Sequence, residues 1–344
     1  MTVSALTRPG ERDRLIVKLA EIDWVFILVL SLIAGAGALM QFSIAGSSWQ
    51  PWAAAHLTRF VLCVLLMVGL AVIDLRVWFA LAYPIYGLGV LLLIAVELVG
   101  DTRLGAQRWL EFGPVSFQPS EMMKLGIVLA LARLYHGAPA QRAKLSWWLL
   151  IPATMIAVPV GLVAMEPDLG TAMLIALTGA AMVVLAGLSW RLIGIALAGA
   201  LAAVVPVVTF VLHDYQRERI FTFLNPESDP SGSGYHILQS MIALGSGGLL
   251  GKGYGLGSQS QLNFLPEKQT DFIFATLAEE FGFVGCVSIL ILYAAVIFMA
   301  LRTAYVSHSH FGRLAAAGAT ATFTLYVLIN GAMVMGLAPV VGVP

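Results

Sequence analysis

Charge is scarce in this sequence. Asp, Glu, Lys and Arg make up 11% of its 344 residues and cancel to a net charge of zero, whereas an ordinary soluble domain carries about 25% charge. A balanced, charge-poor chain has no electrostatic footprint for nucleic acid. Cysteine is nearly missing: Cys63 and Cys286 stand in apolar runs and read as small hydrophobes, not as a disulfide. No cleavable leader is evident, because the first apolar run is followed by others of the same kind and no small-residue cleavage site stands out. Internal repeats, a second soluble domain, a Ser-His-Asp set and a nucleophilic cysteine are all missing as well. What is present is apolar: 59% of residues are hydrophobic and mean hydropathy is +0.89. Such a chain reads as an all-α, polytopic integral membrane helix bundle.

Residues 1–20 are polar and basic (Arg8, Arg12, Arg14, Lys18) and read as a cytoplasmic tail; residues 21–344 read as one transmembrane domain. Apolar runs near 23–45, 53–73, 77–99, 119–136, 147–165, 168–188, 191–212, 273–300 and 311–336 are each near the roughly 20 residues needed to cross a hydrocarbon core of about 30 Å. That gives about nine spans. Arg76, Arg142, Lys144, Arg191, Arg302 and Arg313 fall in loops on the side of the basic tail, which the positive-inside rule makes cytoplasmic. Tryptophans 24, 49, 52, 78, 147, 148 and 190 lie at span ends, as an interfacial belt requires. The opposite, extracytoplasmic face then carries the segment 100–118, a tight turn at 165–168 and a long loop, 213–272, between spans seven and eight. A connection that long is usually functional.

Polar residues at that face attract notice. Pro119-Ser120-Glu121 reads as a helix start, with Glu121 and Lys124 three residues apart on one face. They form either a packing salt bridge or, with nearby Arg108, the polar wall of a cavity. Asp168 is either the N-cap of the next span or a carboxylate of the same cavity. Asp271 meets the start of the eighth span, where Thr270 or Asp271 could serve as N-cap. Capping does not explain why Asp271, Lys268, Arg108, Lys124, Asp168 and Glu121 share one membrane face. Several cations among several carboxylates suit a diphosphate-bearing substrate. The glycine-dense piece 245–257 is no phosphate loop, because Ser246 and Gly253 occupy positions where that motif needs Gly and Ser or Thr. His308 and His310 lack a third metal ligand, and His213 and His236 read as solvated loop residues.

Gly-Ala-Gln-Arg-Trp at 105–109, Gln-Pro-Ser-Glu-x-x-Lys at 118–124, Pro-Asp-Leu-Gly-Thr at 167–171, Leu-Pro-Glu-x-x-Thr-Asp-Phe-Ile-Phe at 265–274 and the run from Asn330 to Pro344 occur in one order over most of the chain. Together they resemble the SEDS family (shape, elongation, division and sporulation). Ala278-Glu279-Glu280 and the short amino-terminal tail look more like its rod-shape branch than its division branch. The resemblance implies a peptidoglycan glycosyltransferase that polymerises lipid II into β-1,4-linked glycan during cell elongation in a bacterial cytoplasmic membrane. It implies ten spans, the tenth opening on Pro-Leu-Pro, which the nine runs here do not include. It implies a class B penicillin-binding protein as transpeptidase partner, alongside other elongation machinery and membrane lipids.

The same resemblance makes Asp271 the essential carboxylate, and assigns Arg108, Glu121, Lys124 and Asp168 to the substrate site. As general base, Asp271 would take the proton of the acceptor's 4-hydroxyl. The departing undecaprenyl diphosphate would be stabilised by Lys124, Arg108, Lys268, Arg217 and Arg219, or by a divalent cation (Mg or Mn), a choice the sequence leaves open. Two other classes fit a charge-bearing bundle: a flippase for lipid II or another lipid-linked substrate, and a membrane scaffold for a transpeptidase. Polar groups gathered at one face, with no inverted repeat, disfavour transport.

Overall fold

The computed structural model describes residues 17–103, 106–112, 115–137, 147–166, 168–206, 208–209, 214–225, 232–265 and 267–340. The tail up to residue 16, Gly105, Arg142, Lys144, Pro167, His213, residues 226–231, Pro266 and residues 341–344 lie outside them.

Apolar composition sets the elements. Helices α1 (Trp24–Ile44), α2 (Trp52–Val72) and α3 (Leu75–Val99) come first, followed by strands β1 (Asp101–Arg103), β2 (Ala106–Phe112) and β3 (Val115–Phe117). Then follow α4 (Pro119–His136), α5 (Leu150–Met165), α6 (Leu169–Leu185) and α7 (Trp190–Pro206). The long loop contributes α8 (Asp214–Leu224), α9 (Ser233–Ser246) and the single turn α10 (Ser258–Gln261), before α11 (Ile273–Val306) and α12 (His310–Val334). Each expected apolar run coincides with one of these helices. By length and composition, α1, α2, α3, α5 with its preceding turn, α11 and α12 are long and apolar enough to cross a membrane.

Helix α4 is the axis of the bundle. It packs against α3, α5, α6 and α12, and Met123, Ile127 and Leu131 on it are fully buried with Leu93, Ile175, Met182 and Phe311. At the periphery the pattern inverts. α2 buries only Ala53 and turns Val61, Leu62, Leu65 and Leu66 outward. An apolar outer surface of this extent is stable only in lipid, and the chain is a multi-pass membrane protein.

Three features depart from the sequence-based picture. Within 100–118 the described residues form a small antiparallel sheet, β1-β2-β3, whose neighbouring strands pair locally. The described residues of the loop 213–272 include the helices α8, α9 and α10. And α11 runs for 34 residues, past the expected end at 300, with a break at Gly282 (φ 64°).

At that break the loop enters the helix's own hydrogen-bond ladder. In a continuous helix, Phe283 and Val284 would donate to the carbonyls of Glu279 and Glu280. Instead Phe283 N–H donates to Gly248 O (2.9 Å) and Val284 N–H to Leu249 O (3.1 Å), while Lys252 N–H donates to Glu279 O (2.9 Å) and Gly253 N–H to Glu280 O (3.1 Å). All four groups freed by the break are thereby satisfied. Glycine is needed on both sides: a Cβ at Gly251 would stand 2.1 Å from Glu280 O, and one at Gly282 would stand 2.4 Å from Gly251 N. Lys252 adds an ion pair to the fully buried Glu279 (2.6 Å), and Ser43 of α1 donates to Glu280 Oε1 (2.6 Å).

Candidate active site

One end of the bundle collects the start of α4, the start of α6, the start of α11 and the end of α12. Asp168 caps α6: it accepts from Thr171 N–H (3.1 Å) and Thr171 Oγ1 (2.9 Å). Its other side faces Arg108 on β2, with Nε 3.6 Å from Oδ2, and Gln118 donates to the same oxygen (3.5 Å). The N-cap reading of Asp168 holds, and the same carboxylate faces Arg108. A turn further along α4, Lys124 is buried and donates to the half-exposed Glu121 (2.7 Å). Tyr326 of α12 completes that pair. Its hydroxyl donates to Glu121 Oε2 (3.2 Å), and the Lys124 ammonium lies 4.5 Å from the centre of its ring, a cation–π contact.

One turn beyond Tyr326, Asn330 Nδ2 donates to the backbone carbonyl of Asp271 (3.1 Å). Polar side chains of α12 thus link the Glu121–Lys124 pair to Asp271. The expectation that Thr270 or Asp271 caps α11 is not met: the helix opens at Ile273 with Phe272 in the cap position and no side-chain cap. Asp271 stands one residue before the cap position, and its carboxylate does not take that role. Burial pushes the Asp271 carboxyl up, a hydrogen bond from Thr270 pulls it down, and neighbouring Glu267 raises it again. A cavity of about 400 Å³ opens beside these residues, lined by Thr270, Phe274, Tyr293, Tyr326 and Asn330 together with apolar α1 residues including Met40.

The remaining expected cations are elsewhere. Lys268 is buried in its own loop, donating to Ser260 O and to Asn263 Oδ1 (2.8 Å); burial lowers the pKa of its ammonium. Arg217 donates to the carbonyls of Val208 (3.1 Å) and Thr209 (2.7 Å), just beyond α7. Arg219 lies on α8, with its side chain outside the described set. His236 packs against Phe272, ring centres 6.5 Å apart, instead of standing in solvent. Among the described residues no three of His, Cys, Asp and Glu come close enough to hold a metal ion. Cys63 and Cys286 are free thiols.

Sequence reasoning missed Tyr326, Asn330 and Gln118. Tyr326 and Asn330 are four residues apart on one face of an apolar span, a signal that was readable.

Over residues 17–344 the chain matches the family model described as cell cycle protein, the FtsW, RodA and SpoVE group. The chain belongs to this family. It is 43% identical over 324 residues to the peptidoglycan glycosyltransferase MrdB of Escherichia coli K12, covering 94% of this chain and 86% of that one. It is 33% identical over 335 residues to a probable peptidoglycan glycosyltransferase FtsW of Trichlorobacter lovleyi, covering 94% and 87%. Among solved structures it resembles a chain of a peptidoglycan synthase complex that coordinates polymerization and crosslinking (TM-score 0.80, 32% identity, 94% and 90% covered). It also resembles the rod shape determining protein RodA of Thermus thermophilus (TM-score 0.67, 27% identity, 94% and 89% covered).

Proposed function

We propose that the protein is a peptidoglycan glycosyltransferase of the rod-shape branch, polymerising lipid II on the outer face of the bacterial cytoplasmic membrane with its amino terminus inside. The observation that carries the reading is the half-buried Asp271, tethered through Asn330 beside the Tyr326–Glu121–Lys124 group, in a chain 43% identical to MrdB. A carboxylate raised by burial is a stronger base than one in water.

In the reaction, Asp271 takes the proton of the acceptor's 4-hydroxyl. The freed oxygen attacks the anomeric carbon of the donor sugar. The bond to undecaprenyl diphosphate breaks with inversion, giving a β-1,4 linkage. Lys124 and Arg108 stabilise the leaving diphosphate electrostatically, and no step is routed through a metal ion. Lys268 and Arg217 hold the loop segments that frame the site through Ser260, Asn263, Val208 and Thr209. Likeness to a complex that also crosslinks supports a transpeptidase of the class B penicillin-binding type as partner.

The test is polymerisation of lipid II in detergent by the purified chain and its partner, wild type against Asp271→Asn. Glycan strands from the wild type and none from the folded variant are expected. A flippase makes no strands without a second leaflet, and a scaffold leaves strand synthesis unchanged in the Asp271→Asn variant; either result overturns the reading.

A further inference from the structure

The segment that meets the break in α11 has an apolar, uncovered tip, and nothing in the reaction above uses it. Leu249 and Leu250 are 73% and 80% exposed, and Leu256 is exposed as well. Gly245 to Gly251 carries no charge, and Lys252, the first charged residue after it, turns inward to Glu279. Facing water, such a tip would be an apolar patch with no partner.

Its depth follows from α11. The run from Phe283 to Leu301 carries no charge and is bounded by Glu280 and Arg302. At 1.5 Å per residue it is about 28 Å long, close to the roughly 30 Å of a hydrocarbon core. The break at Gly282 therefore marks the edge of the hydrocarbon on the side of Asp271. The tip is pinned at that edge, because Gly248 O accepts from Phe283 N–H (2.9 Å) and Leu249 O from Val284 N–H (3.1 Å). Phe283 and Val284 are exposed too, so the tip continues the lipid-facing surface of α11. A second helix gives the same level: Tyr254 donates to Leu39 O (2.8 Å), within the apolar span α1, and tyrosine favours the membrane interface. Irregular backbone enters lipid only where its polar groups find partners. The four bonds to α11 provide them here, together with the turn from Gly251 N–H to Gly247 O (2.8 Å).

We infer that residues 248–256 are a membrane-contacting foot. Leu249, Leu250 and Leu256 insert among the acyl chains of the leaflet on the side of Asp271, and the partner of this surface is bilayer lipid. The loop that carries Asp271 thus rests on the membrane through its own side chains as well as through the spans that flank it. The inference uses only the embedding of the bundle in lipid and is independent of the proposed reaction.

Spin labels on the full chain in phospholipid nanodiscs test it. With Cys63→Ala and Cys286→Ala as background, Leu249→Cys, Leu250→Cys and Leu256→Cys each carry one nitroxide; all three replace exposed side chains, so the fold is kept. Leu65→Cys on the outward face of α2 is the lipid reference, and His308→Cys in the exposed turn between α11 and α12 is the aqueous one. The readout is relaxation by oxygen, which partitions into lipid, relative to relaxation by a water-soluble nickel chelate. This ratio should be several-fold higher at 249, 250 and 256 than at 308, and close to that at 65. Ratios equal to the one at 308 overturn the inference. The same spectra, recorded with and without a bound transpeptidase, separate the other occupants. Labels that the transpeptidase immobilises and shields from oxygen reveal a protein seat, and dipolar broadening between labels reveals a second copy; either overturns the inference. Lipid-like ratios that the transpeptidase leaves unchanged uphold it.

Discussion

The side chain of Asn330 holds the backbone of Asp271: Nδ2 donates to its carbonyl at 3.1 Å across 59 residues of sequence. The end of α12 thereby fixes where the carboxylate before α11 stands. Replacing Asn330 with Ala removes the donor, leaves the Asp271 carbonyl short of a partner and loosens the base. Reactions that depend on a positioned base are sensitive to such shifts. A loss of about tenfold in glycan synthesis is expected, with little change in melting temperature. Polymerisation rate and thermal unfolding, measured side by side, check it.

Tyr326 makes two contacts of different kinds, and substitution separates them. Tyr326→Phe removes the hydroxyl given to Glu121 but keeps the ring beside Lys124. Tyr326→Leu removes both. A loss of a few-fold in activity is expected for Phe, and a loss of an order of magnitude or more for Leu, since a partly desolvated cation–π contact contributes about 1–2 kcal/mol. Equal effects of the two variants would show that the ring contributes nothing.

The glycines at the helix break face backbone where a Cβ would go, and Gly245 of α9 faces open space. Gly282→Ala places a Cβ 2.4 Å from Gly251 N at a backbone angle of φ 64°, so a loss of several kcal/mol is expected. Gly245, inside α9, has open space where its Cβ would go, and Gly245→Ala should be neutral or stabilise by up to about 1 kcal/mol. Melting temperatures in detergent distinguish the two.

Lys252 is the partner of a carboxylate with no exposure at all. Lys252→Met leaves Glu279 charged and buried with only the Ser258 hydroxyl (3.0 Å) and the Gln259 N–H (3.1 Å). A destabilisation of roughly 2–4 kcal/mol is expected, checked by denaturation in detergent. This lysine, which a superficial reading would assign to a phosphate loop, would then be a strut.

Stability should also carry the signature of Glu166, a carboxyl buried between α5 and α6 and pushed up by that burial above all. Its folded pKa of about 8 lies above the ordinary value of 4.5, so between those two values the folded state binds more protons than the unfolded one. Its contribution is whole below pH 4.5 and is lost as pH rises to about 8, a slope worth on the order of a few kcal/mol in total. Glu166→Gln should flatten that part of the stability–pH curve, as read by thermal unfolding across the range.

Much of the bundle was legible because apolar runs of about 20 residues have one good use. Glu121 and Lys124 were legible from helical spacing, and Asp168 from its place before α6. Lys268 was not. Around it, Asn263 (φ 59°) and Glu267 (φ 46°) both take the left-handed region, which Asn tolerates but a Glu does not announce. Strands β1 and β3, with three residues each, are too short for alternation to distinguish them from loop, and β2 (AQRWLEF) does not alternate strictly. Tyr326 to Glu121, across 205 residues, is a contact that no local pattern specifies.

The four backbone bonds between 248–253 and the break in α11 have a mechanical meaning. Each is worth about 1 kcal/mol, so the segment is splinted to the helix and does not swing as a loose flap. Because two of the bonds lie before Gly282 and two after it, the same segment clamps both halves of α11, and the piece that follows Asp271 is braced against the rest of the helix across the break.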